Sequence, residues 1–490
     1  MSERKREAEE LNRKPSGNKS ERKKRNRQIM AVTYLFVALF LGMMGYTCHY
    51  AVTHRQEMIN NSYNGRQELL VSQNTRGTIY AAGGQVLAET QTDAEGEETR
   101  SYPYENLFAH VVGYASNGKF GIESSSNYYL INSNARLADK VASDVSGAKY
   151  PGDSVVTTLD VGIQEVAYQS LGIYKGAIIV SEPSTGKIIA MVSKPDFNPN
   201  EIDAIWDDLL EDKDSSVLLN RVTQGLYPPG STFKIVTALE YIRENPDTYS
   251  QYTYQCNGKF SSGSDSINCY HGTVHGHEDF TKSFAKSCNS SFANIGVQLD
   301  RAKFGNTLND LLFNQELQVS FAYNQSKLMI DGSTSDSDVV QASIGQGTTQ
   351  ITPLHVNMIT SAIANKGVLM KPYLVDYVKN NENTIVKQFN PATYKKLMSE
   401  EEAAALTGLM EEVVTSGTGT KLSGLSYTAA GKTGSAEYNS DKSQSHAWFT
   451  GFAPAQNPEV CVTIIIEGAG SGGDFAVPIA KRIFNEYFGL

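Results

Sequence analysis

The sequence predicts an α+β protein. It should have a single N-terminal transmembrane helix, a small module of mostly β or irregular structure, and a larger domain whose central antiparallel sheet is flanked by helices. Three observations carry this expectation. One unbroken apolar run lies near the N-terminus, a polar stretch rich in Tyr, Asn, Ser and Gly follows it, and beyond about residue 150 strand-like and helix-like apolar periods alternate. A chain of 490 residues with 40% hydrophobic content is long enough for two or three folded units with packed cores.

Residues 1–28 hold eleven Lys or Arg against five Glu, with almost no apolar side chains, and are expected to be a disordered basic tail. That surplus of six leaves the rest of the chain sixteen negative, since the whole carries −10, and no nucleic-acid partner is expected. From Ile29 to Cys48 no Asp, Glu, Lys, Arg or His occurs, so a helix within residues 29–52 can cross the hydrocarbon layer. Arg22, Lys23, Lys24, Arg25 and Arg27 precede it, which places the N-terminus in the cytoplasm and everything after about residue 53 outside. A cleaved signal peptide is the alternative, but its apolar region is typically about 7–15 residues and ends in small side chains.

Residues 53–150 read as a separate module, with short apolar runs at Gln85–Ala88 and His110–Gly113. The main domain, residues 151–490, opens after Tyr150-Pro151-Gly152. Ser154–Leu159 alternates as a strand does, and Asp160 suits the N-cap of a helix through Leu171. Ala177–Val180 and Lys187–Val192, joined by Pro183-Ser184-Thr185-Gly186, predict an antiparallel hairpin. Phe233–Ile242 and Gln346–Asn365 have helical periods. Thr428–Ala436, Ala447–Phe452 and Val460–Glu467 read as strands, and a helix starting near Pro478 closes the chain.

Chemistry-bearing residues occur in three short motifs. In Ser231-Thr232-Phe233-Lys234, which follows the break at Pro228-Pro229-Gly230, three positions separate serine from lysine, so both share one face of a helix's first turn. A serine hydroxyl attacks only when a base takes its proton, and a lysine serves if burial and nearby positive charge lower its pKa. In Ser287-Cys288-Asn289, expected on a turn between helices, the hydroxyl can relay a proton and the amide can contact both a substrate carbonyl and a lysine. In Lys432-Thr433-Gly434-Ser435 the small residues leave a strand open to another backbone, and the lysine and hydroxyls can hold a terminal carboxylate. Strand alternation points Thr433 and Ser435 one way and Lys432 the other, so convergence needs twist or the long lysine stem. Taken singly, each motif has an ordinary reading as a cap or turn.

Cys256 and Cys269 lie close together in the segment expected outside the membrane, where a disulfide can form. Free thiols are the next reading. A zinc site, suggested by Cys269 with His271, His275 and His277, lacks regular ligand spacing, so neither a metal nor a cofactor is expected.

Together the three motifs resemble the signature shared by class A β-lactamases and penicillin-binding proteins. The resemblance widens to class B penicillin-binding proteins through Arg76-Gly77-Thr78-Ile79, Tyr102-Pro103, Ala109-His110-Val111-Val112-Gly113 and Pro195-Asp196-Phe197-Asn198-Pro199-Asn200. It continues through Tyr227-Pro228-Pro229-Gly230, Gly345-Gln346-Gly347, Thr352-Pro353-Leu354, Gly417-Thr418-Gly419-Thr420 and Ala447-Trp448-Phe449 with Gly451-Phe452-Ala453-Pro454. The compact module most resembles the short penicillin-binding protein A subgroup; Tyr80-Ala81-Ala82-Gly83 and Cys288 depart from the common pattern.

The resemblance implies a membrane-anchored serine D,D-transpeptidase that cross-links peptidoglycan stem peptides ending in D-Ala-D-Ala and is acylated by β-lactams, its pedestal being residues 53–150. It further implies that Ser231 is the nucleophile, Lys234 the base, and Ser287 and Asn289 assistants in proton transfer and substrate contact. Lys432, Thr433, Gly434 and Ser435 would bind the donor, the backbone N–H groups of Ser231 and Ser435 would form the oxyanion hole, and a SEDS-type glycosyltransferase would be the membrane partner. The alternatives are a β-lactamase or D,D-carboxypeptidase, in which water replaces the acceptor amine, and a non-catalytic β-lactam sensor or scaffold.

Overall fold

The computed structural model describes residues 19–53, 66–212, 215–262, 265–438 and 444–490. The chain divides into two units, one ending at Gly65 and one running from Arg66 to Leu490. In the first, helix α1 (Lys19–Thr53) is, among the described residues, the one helix long and apolar enough to cross a membrane. It begins ahead of the apolar run, so residues 19–28, expected to lack structure, are helical; residues 1–18 of the expected tail lie outside the described residues. Lys, Arg, Glu and Gln are good helix formers and extend a helix that its apolar part has already nucleated.

The second unit contains two main sheets. The first has six strands in the order Ile385–Gln388, Val375–Lys379, Ser154–Thr157, Ile79–Tyr80, Val86–Thr92 and Glu98–Ser101. Chain on both sides of residue 150 therefore shares one sheet, Ile79–Tyr80 pairing in parallel with Val155–Val156. Beneath it Glu123, fully buried, binds Arg76 at 2.5 Å and Arg100 at 2.7 Å. Burial opposes the carboxylate's charge, but the two guanidiniums outweigh it and hold its pKa below the ordinary value. Asn200 bonds both backbone polar groups of Tyr102, and Phe197 packs edge-on against His110 and Tyr114. The neighbouring stretches Tyr102-Pro103 and Ala109–Gly113 thus meet the distant stretch Pro195–Asn200 in one junction.

Helix α2 (Val161–Leu171) starts where expected, with the Asp160 side chain accepting from the Ile163 N–H. The five-stranded sheet that follows is antiparallel throughout. It comprises β1 (Gly176–Ser181), β2 (Ile188–Lys194), β3 (Ala430–Glu437), β4 (Ser445–Ala453) and β5 (Val460–Ile466), ordered β3-β4-β5-β1-β2. Strands β1, β4 and β5 are buried along their whole length, as their apolar content on both faces requires.

One face is covered by α2 and a C-terminal helix. The other meets α3 (Lys234–Glu244), α4 (Phe280–Ala285), α5 (Asn289–Gln298), α6 (Pro353–Ala364) and α7 (Glu400–Thr415). Helix α6 begins at Pro353 rather than near Gln346, because Thr352 caps it by accepting from the His355 N–H and proline suits a helix's first turn. Every residue of α6 is buried. Its polar side chains pair with the sheet: Thr360 Oγ1 lies 2.8 Å from Thr450 Oγ1, Thr450 Oγ1 lies 2.7 Å from Thr463 Oγ1, and Ser181 Oγ donates to Asn357 Oδ1 at 2.7 Å. The closing helix α8 (Gly472–Phe488) starts before Pro478 and contains it. Proline leaves the Asp474 carbonyl without its helical donor, and Lys421 Nζ supplies one at 3.4 Å.

Candidate active site

The Ser231–Lys234 motif folds as a 3₁₀ turn, Gly230–Phe233, running directly into α3. Side chains three apart eclipse in a 3₁₀ turn, which aligns Ser231 with Lys234 more closely than an α-helix would. Gly230 makes the turn possible. Its φ is +53°, and a Cβ there would stand 3.0 Å from both Ala436 Cβ and Ser435 O, so β3 can approach only a glycine. Gly434 completes the approach from the other side, since a Cβ on it would lie 3.0 Å from Pro229 O.

Four of the expected residues converge in one hydrogen-bonded knot. Lys234 Nζ donates to Ser287 O at 2.7 Å, Ser287 Oγ at 3.2 Å and Asn289 Oδ1 at 2.7 Å. Lys432 Nζ donates to the same Ser287 Oγ at 3.0 Å and to Thr433 O at 3.0 Å. The alternation conflict at Lys432 is resolved by its stem, which leaves β3 on the side opposite Thr433 and brings the ammonium back to the strand. Ser287 and Cys288 lie on the turn between α4 and α5, whose first residue is Asn289, with Ser287 at φ +58°, a left-handed backbone that costs a non-glycine residue about 1 kcal/mol or more.

Both lysines are fully buried. Desolvation brings Lys234 down to about 7, against the opposing pull of Cys288 and Cys269. It drives Lys432 well below the ordinary lysine value too, with repulsion from Lys234 adding to the shift.

Ser231, Ser287, Asn289, Thr433, Gly434 and Ser435 line one open cleft of about 410 Å³. Among the described residues Ser231 Oγ makes no hydrogen bond, so its hydroxyl is uncommitted. The Ser231 N–H stands in the first turn, where backbone donors lack helical partners, and Ser435 lies on the edge strand β3. Thr418 Oγ1 lies 2.5 Å from Thr433 Oγ1, and its N–H donates to the Ala285 carbonyl at 3.2 Å. Gly417-Thr418-Gly419-Thr420 is visible as a motif in the sequence, but nothing in its spacing pairs Thr418 with Thr433. Lys421 and Asp474 close the rim with an ion pair at 2.8 Å.

The expected Cys256–Cys269 disulfide is not formed. Their sulfurs lie 3.7 Å apart, against about 2.05 Å in a disulfide, and both thiols are free. A third sulfur explains this, because Cys288 Sγ lies 3.8 Å from Cys269 Sγ and His275 Nδ1 lies 3.4 Å from Cys256 Sγ, so the groups surround a common centre. The hydrogen bond from Cys288 holds the Cys269 thiol well below the ordinary thiol pKa.

Residues 176–485 match the family model of the penicillin binding protein transpeptidase domain, which accounts for well over half of the chain, and residues 76–155 match that of the penicillin binding protein A dimerisation domain. The chain belongs to the penicillin-binding protein transpeptidase family. The peptidoglycan D,D-transpeptidase PbpA of Mycolicibacterium smegmatis is 32% identical over 441 residues, covering 83% of this chain and 87% of the relative. Penicillin-binding protein A from Mycobacterium tuberculosis, solved as a ceftriaxone acyl-enzyme complex, superposes with a TM-score of 0.77 at 28% identity, covering 86% of this penicillin-binding protein and 99% of that chain. The D,D-transpeptidase domain of a peptidoglycan glycosyltransferase from Eggerthella lenta gives 0.76 at 30% identity, covering 85% and 99%.

Proposed function

We propose that this penicillin-binding protein is a serine D,D-transpeptidase that cross-links peptidoglycan stem peptides ending in D-Ala-D-Ala, with Ser231 as nucleophile. The knot of Lys234, Ser287, Asn289 and Lys432 beside an uncommitted Ser231 hydroxyl carries this reading. Neutral Lys234 takes the Ser231 proton as Oγ bonds the carbonyl carbon of the penultimate D-Ala. The developing oxyanion is received by the N–H groups of Ser231 and Ser435, a pair of donors each typically worth about a hundred- to a thousand-fold in rate. When the C–N bond breaks, Ser287 Oγ, held between two lysines, passes its proton to the departing D-Ala amine and takes a replacement from Lys234. An amine from a neighbouring stem peptide then attacks the Ser231 ester, Lys234 takes its proton, and that proton passes to Ser231 Oγ as the ester C–O bond breaks. Thr433 and Ser435, with Thr418 behind Thr433, receive the donor's carboxylate at the cleft wall, while Lys432 stays beneath them on Ser287 Oγ and the Thr433 carbonyl.

A β-lactam acylates the same serine, but ring opening leaves its amine tethered to the adduct. Incubation of the full-length chain in detergent with penicillin therefore gives a long-lived mass increase of one drug per chain, absent from Ser231→Ala. Rapid loss of the adduct would make the protein a β-lactamase, and labelling of Ser231→Ala would remove Ser231 from the mechanism.

The basic cluster before the apolar run supports an N-terminus in the cytoplasm and a catalytic domain outside the membrane, with residues 53–150 as pedestal and 151–490 as transpeptidase domain. The family resemblance supports a SEDS-type glycosyltransferase as partner in the same membrane. Purification of that partner class together with the full-length chain, and its loss when the N-terminal helix is exchanged for an unrelated span, tests this.

A further inference from the structure

The helix Leu137–Ser146 is turned inside out relative to an ordinary surface helix. Its apolar residues Leu137, Ala138, Val141, Ala142 and Val145 recur at helical spacing and so share one face. All five are exposed, Leu137 by 78%, Val141 by 51% and Val145 by 85%. Within the helix only Asp139, Lys140 and Ser143 are half-buried.

The polar side holds the helix in place. Asn381 Nδ2 donates to Asp139 Oδ2 at 3.0 Å, Lys140 Nζ to the Ser133 carbonyl at 3.0 Å, and Tyr150 Oη to Asp144 Oδ1 at 2.7 Å. Arg136, at the N-cap, pairs with Glu382. A surface helix normally buries its apolar stripe against the core, so these contacts present the stripe to something outside the unit.

The position of the helix in the fold points to what that is. Twelve residues, 54–65, separate α1 from Arg66, and a chain of that length reaches at most about 43 Å. The first helix after them, Arg66–Gln73, exposes Leu69 and Val71. It leads into Asn74–Thr75, which pairs in parallel with Tyr150–Pro151 just beyond the inverted helix. The apolar stripe therefore stands close to the point at which the chain enters this unit.

The stripe is also too small for a stable protein partner. Ten residues of helix, about 15 Å long and about 10 Å across, have a footprint of roughly 150 Å², well below the about 800 Å² per partner of a standard interface. Its apolar face carries no Trp, Tyr or Arg, the side chains that usually anchor such interfaces. Lipid demands less, because a short tether supplies an effective concentration in roughly the millimolar range and a shallow apolar face then suffices.

We propose that the helix Leu137–Ser146 lies along the outer face of the membrane, with Leu137, Val141 and Val145 seated among the lipid acyl chains. The proposal rests on α1 as a membrane span with Arg66 outside. The contact is apolar, since Arg136, Asp139, Lys140 and Asp144 are already engaged within the protein. The helix runs through Tyr150–Pro151 toward Ser154–Thr157, an interior strand of the six-stranded sheet. A second attachment there, besides the chain itself, restricts how the unit can turn above the bilayer.

The test uses the full-length chain in phosphatidylcholine vesicles whose acyl chains carry bromine, which quenches tryptophan only where lipid touches it. Val141→Trp and Val145→Trp are compared with Ser146→Trp, which stands one position on and about 100° around the helix. After subtraction of the two native tryptophans, we expect quenching at 141 and 145 at least twofold stronger than at 146, and unchanged in about 1 M salt. Both valines are exposed, so each variant should keep the parent's Tm, and either one tests the contact independently.

Equal quenching at all three positions, no quenching, or quenching lost in salt would overturn the proposal. So would shielding of 141 and 145 only at high chain density, together with cross-linking between copies through Val145→Cys, because the face would then belong to a second copy. Flotation with the vesicles reports α1 separately. A chain that fails to float removes the span itself, whereas one that floats with its added tryptophans unquenched removes only the helix contact.

Discussion

Lys234 decides the pH behaviour of the catalytic knot. An unfolded lysine holds its proton up to its ordinary value of 10.5, whereas burial lets folded Lys234 hold it only to about 7. Penicillin acylation should therefore rise through pH about 7 as Lys234 becomes neutral, and Lys234→Met should lose about a hundred- to ten-thousand-fold in acylation rate. The same shift makes a stability prediction. Between about pH 7 and 10.5 the unfolded chain binds more protons, so unfolding free energy rises with pH across that window, by a few kcal/mol in order of magnitude. Lys234→Met should flatten that dependence in denaturant titrations. Thr418→Val removes a hydroxyl from Thr433 and should weaken acylation by carboxylate-bearing donors by about tenfold, the worth of one hydrogen bond. Ser231, Lys234 and Lys432 stand out in the sequence because each lies within a short motif, and the structure brings the two lysines together on Ser287 Oγ. The pairing of Thr418 with Thr433 has no such signal, since the two meet only through tertiary folding.

At the scale of elements, tight backbone approaches position these side chains. Gly230→Ala places a methyl 3.0 Å from β3 at a φ that favours glycine, and should lower Tm together with the acylation rate. Glu123→Gln leaves two buried guanidiniums without their counter-charge and should cost about 3–5 kcal/mol in denaturant unfolding. The hairpin, the three C-terminal strands and the Asp160 cap follow from local apolar periods and turn chemistry, which is why the sequence displays them. The start of α8 does not, because proline is a sound stop signal until a lysine from elsewhere in the fold serves the orphaned carbonyl. Between Gln346 and Thr352 only Ile351 is apolar, so the start of α6 follows from the Thr352 cap and Pro353, not from an apolar period. The cysteines misled for a related reason. Two neighbours in sequence suggested a pair, whereas the fold adds Cys288 and His275 and makes a foursome.

Across the unit from Arg66 to Leu490, the six-stranded sheet joins chain before residue 150 to chain after it. A chain cut to residues 151–490 loses the strands Ile79–Tyr80, Val86–Thr92 and Glu98–Ser101 and bares the edge at Ser154–Thr157. It should melt at a lower temperature than residues 66–490 and aggregate more readily. The apolar run marks the long N-terminal helix, whereas strand pairing between residues 79 and 155 has no local signal.

The hydroxyls and amide between α6 and the sheet have a consequence for how this protein can vary. Sliding α6 by one turn, about 5.4 Å, would part Thr360 from Thr450 and Asn357 from Ser181, at about 1–3 kcal/mol for each buried group left unpaired. The scaffold consequently has one permitted setting rather than a range of neighbouring ones. Substitutions around Thr418, Lys421 and Asp474 at the cleft rim leave that packing untouched, whereas substitutions within α6 do not.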